Sequence, residues 1–397
     1  MHSLTRNHKV GRLFAEVPNV FAVRIVRLAN FVTPRSGGLR TALQALGEGY
    51  LAAGHEPVLV IPGRRAGDEH TSAGRLVTVR GTRVPWTGGY RVMLGAKRLA
   101  ATLERLEPDR IEVSDRFTLR WTGRWAREHG VASVMVSHES LRGLLSMSGL
   151  PGPVARYLAD RVNARTVRRY DTVVCTTAWA SEEFDRFGAA NIRRVPLGVD
   201  LELFHPDRYD PDLRERLVTK DQVMLVHCGR LSMEKRPGRS VQALARLCEA
   251  GVDAVLVVAG DGPLRAKLVR QSEGLPVRFL DFVPDKPTLA SLLATADVVI
   301  APGPIETFGL AALEALACGT PVVVDASSAL PEVIGDAGVA VYGEGDAFAD
   351  GVAEVLLRQP EVRRLEARKR AEEFGWAVSV RGFLEAHREA RSAVVVP

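Results

Sequence analysis

Short apolar runs alternate with amphipathic stretches along almost the whole chain, and this alternation most limits the folds open to it. Apolar runs of about four to eight residues are typical of strands that are buried on both faces of a sheet. The stretches between them carry apolar residues at helical spacing. Strands that alternate with helices predict parallel sheets with crossover helices, so we expect an α/β protein.

The two halves of the chain repeat this alternation. In the first half we predict strands at 22–29, 57–61, 109–114, 131–137 and 171–176, and helices at 38–53, 92–106, 118–129 and 154–169. In the second half we predict strands at 222–228, 253–259, 277–282, 297–301 and 320–325, and helices at 237–250, 263–271, 287–295, 308–318 and 330–334.

The length of the chain indicates two domains. Its 397 residues suit two units of about 180 residues better than one ordinary core. Pro196, Gly198, Pro206 and Pro211 cluster with several aspartates, which indicates a linker near 196–215. The predicted division is an N-terminal extension at 1–21, one doubly wound unit at 22–200, a second at 201–375, and a final segment at 376–397. Ligands of such units bind at the carboxyl ends of the strands, so two facing units would form a deep cleft.

Composition is that of a globular protein, with 46% hydrophobic and 25% charged residues. No apolar run approaches the about 18 residues of a membrane-spanning helix, and residues 1–21 lack the apolar core of a signal peptide. The four cysteines, Cys175, Cys228, Cys248 and Cys318, form no CxxC pair, so we expect neither a zinc site nor disulfides. A reducing cytoplasm fits best.

Charge is divided unequally between the halves. Residues 1–197 hold 30 Lys and Arg against 17 Asp and Glu, and the remainder holds 23 against 30. A basic first half suggests an anionic partner, for which nucleic acid and an anionic membrane surface are the candidates. An arginine-rich coding bias would produce the same split.

Two features of the first half are candidates for ligand binding. Gly37-Gly38 follows the first strand and begins a helix, where the free N–H groups of the backbone favour a phosphate or a sugar oxygen. A plain turn is the alternative. His138 and Glu139 follow strand 131–137, and a histidine at a strand end can donate a hydrogen bond to a sugar or stabilise developing charge, unless it is structural.

A basic loop follows the first strand of the second half. Gly229 to Arg236 comes directly after strand 222–228 and contains Arg230 and Lys235. A guanidinium and an ammonium in one loop can hold two phosphate groups and stabilise a departing diphosphate. A solvated basic loop is the alternative. Nearby, Gly260-Asp261-Gly262 lacks the third glycine of a dinucleotide-binding fingerprint, and Asp261 is a candidate contact for the donor.

Two carboxylates eight residues apart are the most informative feature. Glu306 lies in a loop rich in Pro and Gly, and Glu314 falls within the helix that Gly309 opens. Glu306 can accept hydrogen bonds from sugar hydroxyls, and Glu314 from a ribose. The backbone N–H groups of Phe308, Gly309 and Leu310 suit a sugar or phosphate oxygen. The apolar neighbours of Glu314 argue against a plain surface position.

Taken together, these motifs resemble those of the retaining glycosyltransferases of family 4, which have the GT-B fold. The glycine pair, His138, the Arg230 and Lys235 loop and the Glu306…Glu314 element occur in the order found in that family, and the similarity spans about residues 22–385. The resemblance implies two Rossmann-like domains that face each other across a deep cleft.

The resemblance also implies roles for individual residues. Arg230 and Lys235 would bind the donor diphosphate, Glu306 the transferred sugar and Glu314 the ribose. His138 would contact the sugar near the reacting carbon, and Gly37-Gly38 would approach the phosphates. Phe282-Val283 would lie along the base, and the last helix, after Phe374-Gly375-Trp376, would cross back onto the first domain.

A closer resemblance lies in three stretches of sequence. Residues 29–41, 112–116 and 226–232 are similar to actinobacterial GDP-mannose-dependent α-mannosyltransferases of the phosphatidylinositol mannoside pathway. This similarity implies GDP-mannose as the donor, an anionic glycolipid as the acceptor, and peripheral contact of the basic first half with the inner face of the plasma membrane. Apolar residues at 141–150 would either enter that interface or belong to the core. The extension at 1–21 departs from the pattern.

The mechanism implied is attack by the acceptor hydroxyl from the face that the diphosphate leaves. A donor phosphate oxygen takes the proton, and the protein positions the reactants and stabilises charge. Neither a cofactor nor a metal is expected, and no nucleic-acid-binding motif is present. The oligomeric state is not predicted.

Several other functions remain open from the sequence. A UDP-sugar donor or another acceptor would use the same motifs, and an epimerase or a phosphorylase could share the architecture. A glycoside hydrolase with Glu306 and Glu314 as paired carboxylates would not need the basic loop. A nucleic-acid-binding regulator or a membrane scaffold could use the basic half but not the carboxylates.

Overall fold

A computed structural model describes residues 22–32, 37–84, 89–147 and 149–392, with side chains up to residue 390. The predicted extension at 1–21 lies outside the described residues, as do Pro34, Arg35 and Ser36 of the sequence similarity above.

The first half forms an eight-stranded sheet with β1 in its interior. Its strands are β1 (Arg24–Leu28), β2 (Glu56–Gly63), β3 (Gly67–Thr71), β4 (Gly74–Arg80), β7 (Arg110–Val113), β8 (Ala132–Ser137), β9 (Thr172–Cys175) and β10 (Ile192–Arg194). The spatial order is β10-β9-β8-β7-β1-β2-β4-β3. All neighbouring strands are parallel except β3 and β4. Strands β7, β8 and β9 are buried along their whole length, as their continuous apolar runs predict.

Helices cover this sheet on both faces. They are α1 (Gly38–Ala52), α2 (Ala96–Leu106), α3 (Thr122–Glu128), α4 (Leu141–Met147), α5 (Gly152–Val167) and α6 (Ala178–Asp185). The helix predicted from residue 92 begins at Ala96, because Arg91–Val92 (β6) pairs with Thr82–Arg83 (β5) in a small separate ribbon.

The second half forms a six-stranded sheet that is parallel throughout. Its strands are β11 (Val223–Cys228), β12 (Ala254–Ala259), β13 (Val277–Phe279), β14 (Val298–Ala301), β15 (Val322–Asp325) and β16 (Val339–Val341), in the order β13-β12-β11-β14-β15-β16. The helices are α7 (Pro211–Leu217), α8 (Gly238–Glu249), α9 (Arg265–Gln271), α10 (Lys286–Thr295), α11 (Leu310–Ala317), α12 (Leu330–Ile334), α13 (Gly345–Leu357) and α14 (Pro360–Ala371). The five strands and five helices predicted here are confirmed.

The chain passes between the two sheets twice. Val199, on the way out of the first sheet, forms an isolated parallel bridge with Gly375 on the way back. The last helix, α15 (Trp376–Ser392), then packs against α1, β8 and β9 of the first sheet.

A buried polar cluster attaches α15 to the first sheet. Glu112, at the end of β7, accepts hydrogen bonds from Arg27 Nε at 2.8 Å and from Tyr50 Oη at 2.7 Å, and lies 3.2 Å from His387 Nε2 of α15. All four side chains are buried. Burial alone would raise the pKa of Glu112, but the Arg27 guanidinium and the hydrogen bonds from His387 and Tyr50 hold it well below its usual range.

Candidate active site

The carboxyl ends of the two sheets meet, and a chain of hydrogen bonds joins them. Thr176 and Thr177 follow β9, and each side-chain hydroxyl donates to the carbonyl oxygen of Thr307 at 3.0 Å. Thr307 lies between β14 and α11 and donates from Oγ1 to the carbonyl oxygen of His138 at 2.7 Å. The segment that carries Glu306 therefore rests directly against the strand ends of the first half.

Lys235 and Glu306 form an ion pair at this edge. Lys235 ends a 3-10 turn after β11, and its Nζ contacts Glu306 Oε1. The two side chains retain 35% and 19% of their exposure, so both remain accessible to a ligand. The ion pair fixes the orientation of the Lys235 ammonium and leaves it partly exposed at the site.

Arg230 lies on the same loop and contacts the first half. Its guanidinium carbon is 4.7 Å from the centre of the Tyr90 ring, and Tyr90 packs edge-on against Phe31 at 6.0 Å. Stacking on an aromatic face orients a planar guanidinium. Tyr90 belongs to no sequence motif, and only the tertiary structure brings it to Arg230.

Gly260-Asp261-Gly262 lies directly beside the Arg230 loop. A Cβ atom at Gly260 would lie 1.9 Å from the carbonyl oxygen of Gly229, so only glycine permits this approach. The Leu231 N–H donates to the Asp261 carbonyl at 3.1 Å, and the Asp261 carboxylate accepts from the Gly262 N–H at 2.8 Å. Asp261 is thereby placed next to the basic loop.

Glu314 lies one turn into α11, which Gly309 opens with a backbone φ of +84°. Its carboxyl is half-buried, and burial raises its pKa to about 7, although Lys286 on α10 opposes the shift. The negative charge of Glu314, after burial, raises the pKa of Cys228 at the end of β11, which places the carboxyl near that strand end. A half-buried carboxyl near a strand end can accept hydrogen bonds from the hydroxyl groups of a ligand.

The other candidate residues of the second half would contact a ligand mainly through backbone groups. The Phe308 side chain is buried and packs edge-on against Phe374 at 6.0 Å, and Leu310 is buried as well. Their N–H groups, with that of Gly309, lie at the start of α11. Val283 follows β13 at the outer edge of the sheet, two strands away from β11, and packs against the core.

His138 follows β8 and is half-buried beside the Thr307 segment. Burial lowers its pKa to about 4, and the charges of Arg27 and Arg116 act in the same direction while Glu112 opposes them. The imidazole is therefore neutral at pH 7 and can donate one hydrogen bond.

The predicted glycine pair lies at the start of α1. Gly38 approaches Leu310, since a Cβ at Gly38 would lie 3.4 Å from Leu310 Cδ1. Gly37 beside it is exposed.

Sequence reasoning missed the side chains that support these residues. Arg239 on α8 is buried, donates to the Pro302 carbonyl at 3.2 Å, and pairs with Asp325 at the end of β15 and with Glu344. It holds the loop that leads to Glu306. The sequence signal that could have identified Arg239 is its position within the apolar stripe of the amphipathic helix α8.

The described residues offer neither a cluster of metal ligands nor a helix that could span a membrane. Within ranges 22–32, 37–84, 89–147 and 149–392, no group of three or more His, Cys, Asp or Glu side chains could hold a metal ion. In the same part of the chain, the helices lack the length and the apolar character needed to cross a bilayer.

Two family models match the chain in tandem. Residues 37–198 match the glycosyl transferase 4-like domain, and residues 210–373 match glycosyl transferases group 1.

Curated relatives agree with these matches. The GDP-mannose-dependent alpha-(1-6)-phosphatidylinositol dimannoside mannosyltransferase of Mycobacterium tuberculosis is 54% identical over 357 residues, which cover 89% of this chain and 93% of the relative. The D-inositol 3-phosphate glycosyltransferase of Xylanimonas cellulosilytica is 34% identical over 62% of this chain and 63% of its own length.

Solved structures show the same fold at low sequence identity. Sucrose-phosphate synthase from Thermosynechococcus elongatus has a TM-score of 0.74 at 21% identity, covering 94% of this chain and 100% of that one. Anabaena HepE in complex with UDP and glucose has a TM-score of 0.72 at 17% identity, covering 91% and 98%.

The two facing Rossmann-like sheets, with a cationic loop and carboxylates at their shared edge, define a glycosyltransferase of the GT-B fold. The chain belongs to family 4 of these enzymes.

Proposed function

We propose that this enzyme transfers mannose from GDP-mannose to a phosphatidylinositol mannoside, with retention of the anomeric configuration. The named activity of the mycobacterial relative supports this proposal, because the sequence similarity covers 93% of that protein at 54% identity. The observation in the structure that carries the proposal is the Lys235–Glu306 pair, which stands beside Arg230 where the two sheets meet.

The proposed roles follow the charges of the site. Arg230 and Lys235 bind the diphosphate and stabilise it as it leaves, because cations preplaced in a partly buried site need little reorganisation. Glu306 accepts hydrogen bonds from the transferred sugar, and Glu314 accepts from the ribose. His138, neutral at pH 7, donates to the sugar or to the leaving oxygen. The remaining proposed donor contacts are Gly37, Gly38, Asp261, Val283, Phe308, Gly309 and Leu310.

The proposed reaction needs no covalent nucleophile from the protein. The acceptor hydroxyl attacks the anomeric carbon on the face that the diphosphate leaves, and its proton passes to a phosphate oxygen. Arg230 and Lys235 offset the charge that develops on the diphosphate, and the meeting of the two sheets excludes water.

The proposed domain division matches the roles. Residues 22–200 bind the acceptor, residues 201–375 bind the nucleotide-sugar, and residues 376–397 return to the first domain. Packing of α15 against β8 and β9 supports this division.

A thermal-shift panel of GDP-mannose, GDP, UDP-glucose and UDP tests the donor. We expect a rise in Tm with both GDP compounds, because a ligand that binds only the folded state stabilises it in proportion to RT ln(1 + [L]/Kd). Stabilisation by the UDP compounds alone would contradict the proposed donor and leave a UDP-sugar transferase.

Glu314→Gln is expected to weaken GDP-mannose binding about 5- to 30-fold while raising the Tm of the free protein at pH 8. A neutral amide loses the charge-assisted bonds to the ribose. The pKa of about 7 lies above the ordinary value of 4.5, so the folded state holds the proton more tightly. The stability from this group is present below pH 4.5 and is lost as the pH rises through about 7.

Calorimetric titration of the donor and a Tm series from pH 5 to pH 8 measure both effects. The variant and the parent should differ by about 1 to 3 °C at pH 8 and hardly at pH 5. Equal donor affinity would contradict the role of Glu314.

The exposed face of α5 supports membrane contact. Val154, Tyr157 and Leu158 are exposed near its N-terminus, and Arg161, Arg165 and Arg168 continue the same face at helical spacing. Near its C-terminus, burial and then the charges of Arg169 and Arg165 lower the pKa of the Arg120 guanidinium. A helix face that is apolar at one end and basic at the other suits an anionic bilayer surface.

Vesicle sedimentation tests this contact. Arg165→Ala/Arg168→Ala is expected to lower partitioning onto phosphatidylglycerol vesicles about tenfold or more, since each basic residue near such a surface contributes about 1 kcal/mol. The control is Lys267→Ala/Arg270→Ala, which removes the same charge from exposed positions on α9. Equal losses in both variants, or equal binding to phosphatidylcholine, would contradict a specific face.

A further inference from the structure

Three buried threonines, two from the first half and one from the segment that carries Glu306, join that segment to the first half. Thr176, Thr177 and Thr307 are all buried. The carbonyl oxygen of Thr307 accepts from both neighbouring hydroxyls at 3.0 Å, and its own hydroxyl donates to the His138 carbonyl at 2.7 Å. Buried polar groups are costly without partners, so these bonds require that the two halves stand in one relative position.

Contacts on either side of Thr307 hold the same segment. A Cβ at Gly143 of α4 would lie 2.7 Å from Ile305 Cγ2, and one at Gly38 would lie 3.4 Å from Leu310 Cδ1. The Glu306 carbonyl accepts from the Ala329 N–H at 2.9 Å within the second half. The segment is thus fixed from both halves, with Thr307 at its centre.

A second contact joins the same elements at the surface. The Glu332 carboxylate of α12 accepts from the Ala178 N–H at 2.8 and 2.9 Å and from the Trp179 N–H at 3.3 Å, at the start of α6. Thr177 caps this helix by accepting from the Ala180 N–H at 3.0 Å. The start of α6 therefore makes two contacts with the second half. Its backbone N–H groups donate to Glu332, and the Thr177 hydroxyl donates to the Thr307 carbonyl.

We propose that Thr176, Thr177 and Thr307 form a positioning cluster that sets the distance between His138 and Glu306 across the cleft. This inference rests on the proposed function, in which Glu306 accepts from the transferred sugar and His138 donates to the sugar or to the leaving oxygen. The threonines act through the residues they hold and are positioning residues. Their hydroxyls, in bonds within the protein, are assigned no contact with substrate.

The cluster should affect turnover more than donor binding. Arg230, Lys235, Glu306 and Glu314, the main proposed donor contacts, all belong to the second half. The donor can therefore bind before the halves are aligned, whereas the reaction needs His138 and the acceptor in place.

The test compares Thr307→Val with Thr307→Ser in steady-state kinetics with GDP-mannose and a phosphatidylinositol dimannoside. Valine keeps the shape but leaves the His138 carbonyl without its donor. We expect kcat to fall about tenfold with the KM for GDP-mannose within about twofold, and serine to restore kcat to within about twofold. Thr176→Val/Thr177→Val breaks the cluster from the other side and should show the same split if Thr307→Val does not fold.

Each outcome has one meaning. A normal kcat in Thr307→Val, or an equal loss in Thr307→Ser, would overturn the cluster. If Lys235→Ala and Glu306→Gln are then defective, the proposed function stands without it. If those variants are also normal, the proposed function itself fails.

Discussion

Replacing Lys235 with alanine is expected to lower kcat/KM for the nucleotide-sugar about 10²- to 10³-fold, a loss of roughly 3 to 4 kcal/mol of transition-state stabilisation. Lys235 lies at the meeting edge of the sheets, and its Nζ is held by Glu306. A preplaced ammonium stabilises the charge that appears on the diphosphate as it departs. Because the charge grows during the reaction, kcat should fall more than KM rises.

Initial-rate measurements with saturating acceptor check this expectation. Lys267→Ala is the matched control, since it removes a lysine from an exposed position on α9 of the same half. Lys235→Arg should recover only part of the activity, because a planar fork does not reproduce a compact ammonium. Near-normal turnover in Lys235→Ala would remove the main support for the proposed donor site.

Replacing Glu306 with glutamine is expected to lower kcat about a hundredfold. Glutamine keeps the size of the side chain but loses the charge that pairs with Lys235 and strengthens hydrogen bonds from the sugar. The loss should not be additive with that of Lys235→Ala, because each variant breaks the same ion pair. The double variant is therefore expected to be hardly worse than Lys235→Ala alone.

A double-mutant cycle on kcat/KM measures this coupling, with Asp350→Asn on α13 as an exposed control that changes the same charge. Fully additive losses would show that Lys235 and Glu306 act independently. Such a result would mean that the pair does not function as one unit in the reaction.

The sequence alone predicted the parallel core well and its edges poorly. Buried strands such as β8 and β12 appear as continuous apolar runs, and their positions are confirmed. The hairpin β3–β4 was not predicted, because β3 (Gly67–Thr71) is an exposed edge strand of polar residues with no apolar alternation. Helices α4, α6, α7, α13 and α14 were also missed. In α14 the reason is visible, since its sequence is strongly charged and little of it is buried.

For the site, the sequence supplied the chemical groups through local motifs. Arg230 and Lys235 lie in one loop, and Glu306 and Glu314 lie eight residues apart, so chain connectivity brings together the members of each pair. The two pairs meet because β11 and β14 are neighbours in the sheet. The roles assigned to them remain proposals. The contacts of Arg239, Tyr90 and the three threonines could not be predicted, because each joins elements that are far apart along the chain.

What the sequence by itself determined is the kind of protein: apolar periodicity encodes parallel sheets, and motif order encodes the family. What only the tertiary structure decided is how the halves meet. Thr176 and Thr307 are 131 residues apart, and the hydrogen bond between them depends on the relative position of two separately formed sheets. No local pattern records that position, because it arises from packing and from the return of α15 to the first sheet.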